Sequence, residues 1–414
     1  MTNIITKAID AYGDVNLMVR IIIGLIIGAV LGVTMPGIMA IEMLGLLFVG
    51  SLEAIAPVLV AVLVASSLAK ARKGLGSRFT SVIILYVSSM LVAAIAAVVV
   101  SMACPISLML PEASSQAAAA PTSLSDVFIN LAQEVVSNPL KAIMEGKYLS
   151  ILVWSIIIGT ALKHSASEKT IDMVHDFADT ISLVVHWIIN CAPFGILGLV
   201  YAAVSDSGLE IFTTYGKLLM LLVGCMLLSL FVINPLIVGI TLRRNPYPLL
   251  WQCIKGSAVN AFFTRSSAAN IPVNMALCKR LGLDEDFYSI SIPLGSTINM
   301  NGAAVTITVM TLATCHTMGV EVSFGSAIVL SVLSVFAACG TSGVAGGSLL
   351  LVPMACSLFG ISPDVSMQVV AIGFIISVVQ DSLETALNSS GDVLYTATAD
   401  FYERGKHGEK ITSK

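Results

Sequence analysis

The chain has 414 residues, 57% of them hydrophobic and 11% charged, with a formal net charge of −4. Its mean hydropathy of +0.94 belongs to a polytopic membrane protein and argues against a soluble domain. No basic stretch suggests nucleic acid, and the eight cysteines stand singly, mostly inside apolar runs, without the CxxC spacing of a zinc or redox site.

In chain order, membrane spans are predicted at Leu17 to Met35, Leu44 to Ala69, Thr80 to Cys104, Tyr148 to Leu162, Ile181 to Val204, Leu218 to Leu242, Tyr288 to Cys315 and Val365 to Leu394. The first follows Lys7 and Arg20 and ends in a Thr34-Met-Pro-Gly37 turn, so it is expected to be an uncleaved span rather than a signal peptide. Pro105 to Lys147, rich in Ser, Ala and Pro, reads as an external loop with an amphipathic helix after Ser123. Cys191-Ala-Pro-Phe-Gly195 and Asn234-Pro235 are expected to kink or end their helices. Two further apolar regions, Tyr247 to Leu277 and Phe324 to Gly360, are interrupted by Thr264-Arg-Ser-Ser-Ala-Ala-Asn270 and by Gly340-Thr-Ser-Gly-Val-Ala-Gly-Gly-Ser348.

The distribution of positive charge decides how the interrupted regions run. Basic residues cluster at Lys70, Arg72, Lys73 and Arg78, at Lys163 and Lys169, at Arg243 and Arg244, at Lys279 and Arg280, and at Arg404, Lys406 and Lys410, while the linkers near Pro36, Asp206 and Glu321 are nearly free of them. From a cytoplasmic N-terminus, eight spans reproduce this alternation only if each interrupted region returns to the side it entered from. The expected fold is therefore an all-α polytopic membrane protein with eight transmembrane helices and two opposed re-entrant hairpins, related as inverted repeats, which is a secondary-transporter architecture.

The chemistry concentrates in Ser377 to Asp392. At about 100° per residue, Ser377, Asp381, Glu384, Thr385, Asn388 and Asp392 share one face of an otherwise apolar helix. Three carboxylates at that depth cost about 7 to 10 kcal/mol on the insertion scale and require partners, ions or protons. Arg265, Ser266 and Ser267 place a cation, two hydroxyls and free backbone N–H groups at the first hairpin tip, suited to a carboxylate. Gly340, Gly343, Gly346 and Gly347 let the second tip approach a ligand closely. Gly295-Ser-Thr-Ile-Asn-Met-Asn-Gly302 predicts an unwound turn whose carbonyls suit a hard cation such as Na⁺; a kink held by the Asn side chains is the alternative. Asp381, Glu384 and Asp392 against Arg265 leave a formal −2, which bound cations, protonation of Glu384 or a substrate ammonium must offset. The balance favours a small neutral amino acid with cation coupling. Glu53 is a weaker signal, and the Asn388-Ser-Ser390 sequon lies at membrane depth and is discarded.

At these residues the chain resembles, over essentially its whole length, the dicarboxylate/amino acid:cation symporter family with its glutamate-transporter fold. The motifs are Thr264-Arg-Ser-Ser, Asn299-Met-Asn-Gly302 where the family has Asn-Met-Asp-Gly, Gly340-Thr-Ser-Gly-Val, and Asn388-Ser-Ser-Gly-Asp392. The resemblance implies a homotrimer in the bacterial inner membrane, both termini cytoplasmic, working as an elevator. It implies one transporter unit over 1–400: a scaffold mainly from 17–164 and 181–242, and a transport core over about 247–400 with hairpins 247–277 and 324–360. A cytoplasmic tail, 401–414, follows.

The resemblance further implies that Ser267 and Asn388 hold the substrate carboxylate, and that Asp381 takes the ammonium with the carbonyls of Arg265 and Val344. Thr385 would line the pocket, beside Ser266 and Glu384. One sodium ion would lie among the carbonyls of Gly295, Asn299 and Asn388 and the carboxylate of Asp392. A second would lie near the Thr297 carbonyl, the Met300 sulfur and the carbonyls of Ala338, Cys339 and Thr341. Three departures narrow the substrate. Glu384 stands where members that carry acids have Arg, Ala303 replaces a hydroxyl, and Asn301 replaces the acid of a third sodium site. The nearest match is the branch that moves serine and threonine with sodium. A proton-coupled or exchanging transporter of the same fold is the alternative; an intramembrane hydrolase using Ser267 or Asp381 is a distant one, lacking a neighbouring His or Lys in sequence to act as base.

Overall fold

The computed structural model describes residues 15, 17–70, 77–110, 137–341 and 346–406. Among these the secondary structure is entirely helical. The loop helix expected after Ser123 and Val344 of the second tip lie outside the described residues.

Helices α1 (Leu17–Thr34) and α2 (Met39–Lys70) are apolar nearly all round, the pattern of a helix meeting lipid and protein rather than water. Gly24 and Gly28 fall on one face of α1, where a Cβ would collide with the carbonyl oxygens of Pro193 and Leu197. Small residues thus permit the close crossing with α7. Helix α3 (Ser77–Ala103) follows, then a short α4 (Pro139–Met144) capped by the Asn138 side chain, and α5 (Tyr148–Ser165). α6 (Glu168–Asn190) and α7 (Ala192–Ser207) meet at a 52° bend at Cys191, where Pro193 was expected to break the helix.

Of the two expectations for Asn234-Pro235, a kink or an end, the helix does not take the second. α8 (Ile211–Leu228) runs through a π-helical stretch, Ser229–Ile233, into α9 (Asn234–Leu242). The wider turn precedes Pro235, with the Asn234 N–H donating to the Ser229 carbonyl, and the helix does not end at the proline.

The first interrupted region folds as two helical arms. α10 (Tyr247–Cys253), a π-helical stretch at Ile254–Ala258 and α11 (Val259–Thr264) form one; α12 (Ile271–Arg280) returns beside it. Asn260 Nδ2 donates to Asn270 Oδ1 at 2.6 Å and Ser257 Oγ to Asn274 Oδ1 at 2.5 Å, so the arms are antiparallel. The next predicted span is discontinuous: α13 (Glu285–Ile298) stops and α14 (Asn301–Thr317) begins across Asn299 and Met300. α15 (Phe324–Ala338) and α16 (Val352–Ser357) are the arms of the second interrupted region, and α17 (Pro363–Lys406) closes the chain.

Among the described residues, five helices are long and apolar enough to cross a membrane, and the bent α6–α7 pair makes a sixth; α1 and α5 supply shorter apolar helices. Packing divides the molecule into two groups. α1, α2, α5, α6 and α7 pack on one another, whereas α3 and α8–α9 pack on α14 and α17. α14 is the centre of the second group, buried from Asn301 to Cys315.

Candidate functional site

Four elements meet at the polar face of α17: the first hairpin tip, the α13–α14 break, the second hairpin and α17 itself. Asp381, Glu384, Thr385, Asn388 and Asp392 are all buried there. Their spacing brings them to one side of the helix, and the neighbours supply what an apolar surrounding would not.

Arg265 ends α11 in a left-handed conformation, φ 52°, which costs an L-residue about 1–2 kcal/mol. The turn carries its guanidinium inward, where Nε donates to Asp381 Oδ2 at 2.7 Å. The other Asp381 oxygen accepts from the Gly346 N–H at 3.1 Å, so both hairpins meet on one carboxylate. Arg265 does not pair with Glu384. Nη1 of Arg265 is buried without a partner among the described residues.

Glu384 is held by neutral donors. Its Oε2 accepts from Thr306 Oγ1 and Gln380 Nε2, both at 2.6 Å, and from Ser348 Oγ at 2.9 Å. Asn388 Oδ1 accepts from the Gly302 N–H at 2.7 Å, at the N-terminus of α14, and its Nδ2 reaches the Met300 sulfur at 3.4 Å. Thr385 Oγ1 bonds back to the Asp381 carbonyl of its own helix. At the first tip Ser266 Oγ accepts from the Ala269 N–H, and Ser267 is buried, 2% exposed.

One turn further along, Asn299 Nδ2 donates to Asp392 Oδ1 at 2.9 Å and to the Asn388 carbonyl at 3.3 Å. A Cβ on Gly295 would lie 2.8 Å from Asp392 Oδ1, so the glycine lets the carboxylate lie against the α13 backbone. Asp392 Oδ2 and Asn299 Oδ1 remain buried and unpartnered. Two orphaned oxygens beside main-chain carbonyls form an oxygen-rich donor set that suits a hard cation such as Na⁺. Across the break, Cys339 Sγ donates to the Ile298 carbonyl at 3.5 Å, so the C-terminal ends of α13 and α15 converge near Thr297, Met300, Ala338 and Thr341. Helix C-termini carry partial negative charge, which also suits a cation. Ala338 accepts from Thr341 Oγ1 at 2.9 Å.

Several contacts were not read from the sequence. Thr306 and Gln380 were not singled out, although each is a polar residue in an apolar stretch. Asn270 and Asn274, one turn apart on α12, both donate to Ser389 Oγ on α17, at 2.8 and 3.0 Å. Tyr86 on α3 donates to the Ser291 carbonyl at 3.2 Å and the Asp392 carbonyl at 3.4 Å. Asn301 accepts from Ser89 at 3.1 Å and donates to Asn234 at 3.3 Å, and Asn234 also accepts from Tyr395 at 2.8 Å. Asn301 is thus set in a neutral hydrogen-bonded cluster.

Residues 17–401 match the sodium:dicarboxylate symporter family. A protein of Bifidobacterium adolescentis named serine/threonine transporter SstT is 54% identical over 411 residues, covering 98% of this chain and 95% of the relative. Proteins of the same name from Streptococcus thermophilus and Streptococcus agalactiae are 53% and 51% identical, covering 95% and 97% of this chain and 98% and 99% of theirs. The chain belongs to the sodium:dicarboxylate symporter family, a family of membrane transporters and not of enzymes.

Proposed function

We propose that this symporter takes up serine, threonine or a similarly small neutral amino acid across the bacterial inner membrane, driven by sodium. The observation that carries the substrate class is the surroundings of Glu384. A carboxylate satisfied by three neutral donors stands at the pocket and repels a side-chain carboxylate, while a neutral amino acid adds no net charge. The relatives' names agree with that reading.

In this reading the substrate ammonium is taken by Asp381, with the carbonyls of Arg265 and Val344, and the substrate carboxylate by Ser267 and Asn388, flanked by Ser266 and Thr385. With Arg265 on one Asp381 oxygen and the Gly346 N–H on the other, the ammonium must displace or share one of these bonds. Its arrival is thereby tied to the second tip. One sodium ion is held by Asp392 with the carbonyls of Gly295, Asn299 and Asn388. The second is held near Thr297, Met300, Ala338, Cys339 and Thr341. Bound sodium supplies the positive charge that the carboxylates lack. The neutral setting of Asn301 favours one or two ions over three.

The interrupted regions are proposed as re-entrant hairpins among eight spans, in an elevator-type homotrimer with both termini cytoplasmic. The packing favours a moving body larger than 247–400. α3 and α8–α9 pack on α14 and α17, so 77–103 and 211–242 travel with the core, while α1, α2, α5, α6 and α7 stay as scaffold.

The test is uptake of labelled serine into liposomes holding the purified protein, with an inward sodium gradient or potassium in its place. Sodium-dependent uptake, competed by threonine and not by glutamate, is expected. Uptake that follows a pH gradient without sodium replaces the sodium reading with proton coupling through Glu384. Strong competition by glutamate overturns the substrate class.

A further inference from the structure

The two packing groups meet at an aromatic pair. Phe48 on α2 and Phe374 on α17 are both buried, with ring centroids 5.3 Å apart and planes at 79°, an edge-to-face arrangement that aromatic rings favour. A glycine makes room for each ring. A Cβ on Gly195 of α7 would overlap the Phe48 ring, so α7 fixes that ring within the scaffold group. A Cβ on Gly346 would lie 2.8 Å from Phe374 Cε1, so the second hairpin rests directly on the other ring. Gly346 takes φ +72°, a conformation that favours glycine, and the same residue donates its N–H to Asp381. Phe374 stands two turns before Asp381 on the same side of α17. A chain of contacts thus runs from α7 through Phe48, Phe374 and Gly346 to the carboxylate proposed for the substrate ammonium.

The second hairpin also touches the scaffold group itself. A Cβ on Gly340 would lie 2.7 Å from Val64 Cγ2 of α2, Leu349–Leu351 pack on α2, and α16 packs on α5. The first hairpin is placed differently: its arms pack on α17, and Val259 and Phe263 of α11 are exposed. The second hairpin is therefore held between α17 on one side and α2 and α5 on the other. We propose that Phe48 and Phe374 are positioning residues, a latch through which the scaffold holds the second hairpin on Asp381 and the moving body in this position. This rests on the elevator reading above. A body that travels past α2 carries Phe374 away from Phe48, so the ring contact belongs to one end of the travel. A contact made in one state only biases the equilibrium by its own strength. An aromatic pair of this kind changes such a population ratio about two- to tenfold.

The experiment measures the distance between spin labels at Lys70→Cys, the end of α2, and Tyr402→Cys on α17, with Cys104→Ser and Cys191→Ser removing the exposed native thiols. Proteins carrying Phe48→Leu, Phe374→Leu or both are compared with the protein that keeps both rings. Each is checked for monodisperse elution and measured in liposomes in potassium, in sodium, and in sodium with serine. In either single variant the latched distance is expected to lose about two- to tenfold in population against a second distance. The double variant is expected to go no further than the singles, because one ring without the other has no contact left to lose. Shifts that add in the double variant would mean two independent packing defects and overturn the latch. So would two distances whose weights the substitutions leave unchanged, an outcome in which the elevator reading survives alone. One distance in every protein and condition overturns the moving body and the latch with it. Should Phe374→Leu not fold, Phe48→Leu, on the scaffold side, reads the same contact by its shift or by the lack of one.

Discussion

Arg265 and Asp381 form the only buried ion pair that joins a hairpin tip to the last helix among the described residues, at 2.7 Å and with side chains 8% and 3% exposed. The pair is separated by 116 residues in sequence and depends on the left-handed turn at Arg265. Removing one partner of such a pair leaves the other charge buried alone, which costs about 3–5 kcal/mol. Arg265→Ala is therefore expected to lower the thermal unfolding midpoint in detergent by many degrees and to abolish uptake. Arg265→Lys is expected to recover stability in part only, because an ammonium cannot reproduce the planar guanidinium donor at Nε. A midpoint unchanged in Arg265→Ala would mean the pair is not what fixes the tip.

The clamp between the first hairpin and α17 gives a second prediction. Asn270, Asn274, Ser257 and Ser389 are each 0% exposed, and Ser389 Oγ accepts from both asparagines. Ser389→Ala keeps the backbone carbonyl that Asn274 also uses but removes the shared hydroxyl. The expected loss is about 1–3 kcal/mol, the usual cost of leaving buried donors short of a partner. Thermal unfolding checks it, and a midpoint equal to that of the unaltered protein would show that the amides find other acceptors.

How much of this was legible in advance follows from the range of each signal. The polar face of Ser377 to Asp392, the interrupted regions and the break at Asn299-Met-Asn are local patterns, and each stands in the fold as a buried face, a helix–turn–helix or a helix end. Periodicity reports which side of a helix is polar and not what that side meets. Thr306 and Ser348 converge on Glu384 from two other stretches, and only tertiary packing brings them there, whereas Gln380 lies one turn before Glu384 on the same helix. The same holds for Asn234, whose prominence in sequence came from the proline after it; its side chain is an acceptor for Asn301 and Tyr395. The π-helical turn before Pro235 illustrates the converse. A proline rule gives the local cost, while the surrounding helix chooses how to absorb it.

A charged junction at the start of α13 gives a pH-dependent prediction. Asp284 caps α13 through the Asp286 N–H at 3.0 Å and pairs with Arg78 at 2.6 Å. Slight burial raises its pKa, but the hydrogen bond from Arg78 and the cap outweigh that, and the carboxyl is held below its usual value. A depressed carboxylate contributes stability that is present above the unfolded-state pKa, about 4, and fades as pH falls through the lower folded-state value. Asp284→Asn is therefore expected to be less stable than the unaltered protein at pH 7. The gap should close as pH falls below about 4. Because the group is two-fifths exposed, the gap at neutral pH is expected within about 1 kcal/mol. A difference independent of pH would assign the effect to packing instead.

Asp392 offers the sharpest test of the cation reading. Its Oδ1 is engaged by Asn299 while Oδ2 is buried and unpartnered, an arrangement that is unfavourable unless something positive is bound. Asp392→Asn removes the charge and keeps the shape, so the apo protein is expected to be as stable as the unaltered one or more so. Sodium should then stabilise it far less. In the unaltered protein, saturating sodium at about 100 times its dissociation constant raises stability by about 2.7 kcal/mol, seen as an upward shift of the unfolding midpoint over potassium. That shift should largely vanish in Asp392→Asn, and half-saturating sodium for serine uptake should rise at least about tenfold, since tenfold corresponds to only about 1.4 kcal/mol. A variant that keeps the full sodium-dependent shift would place the ion elsewhere. Loss of stability in potassium, with the sodium shift intact, would recast Asp392 as a structural carboxylate for Asn299.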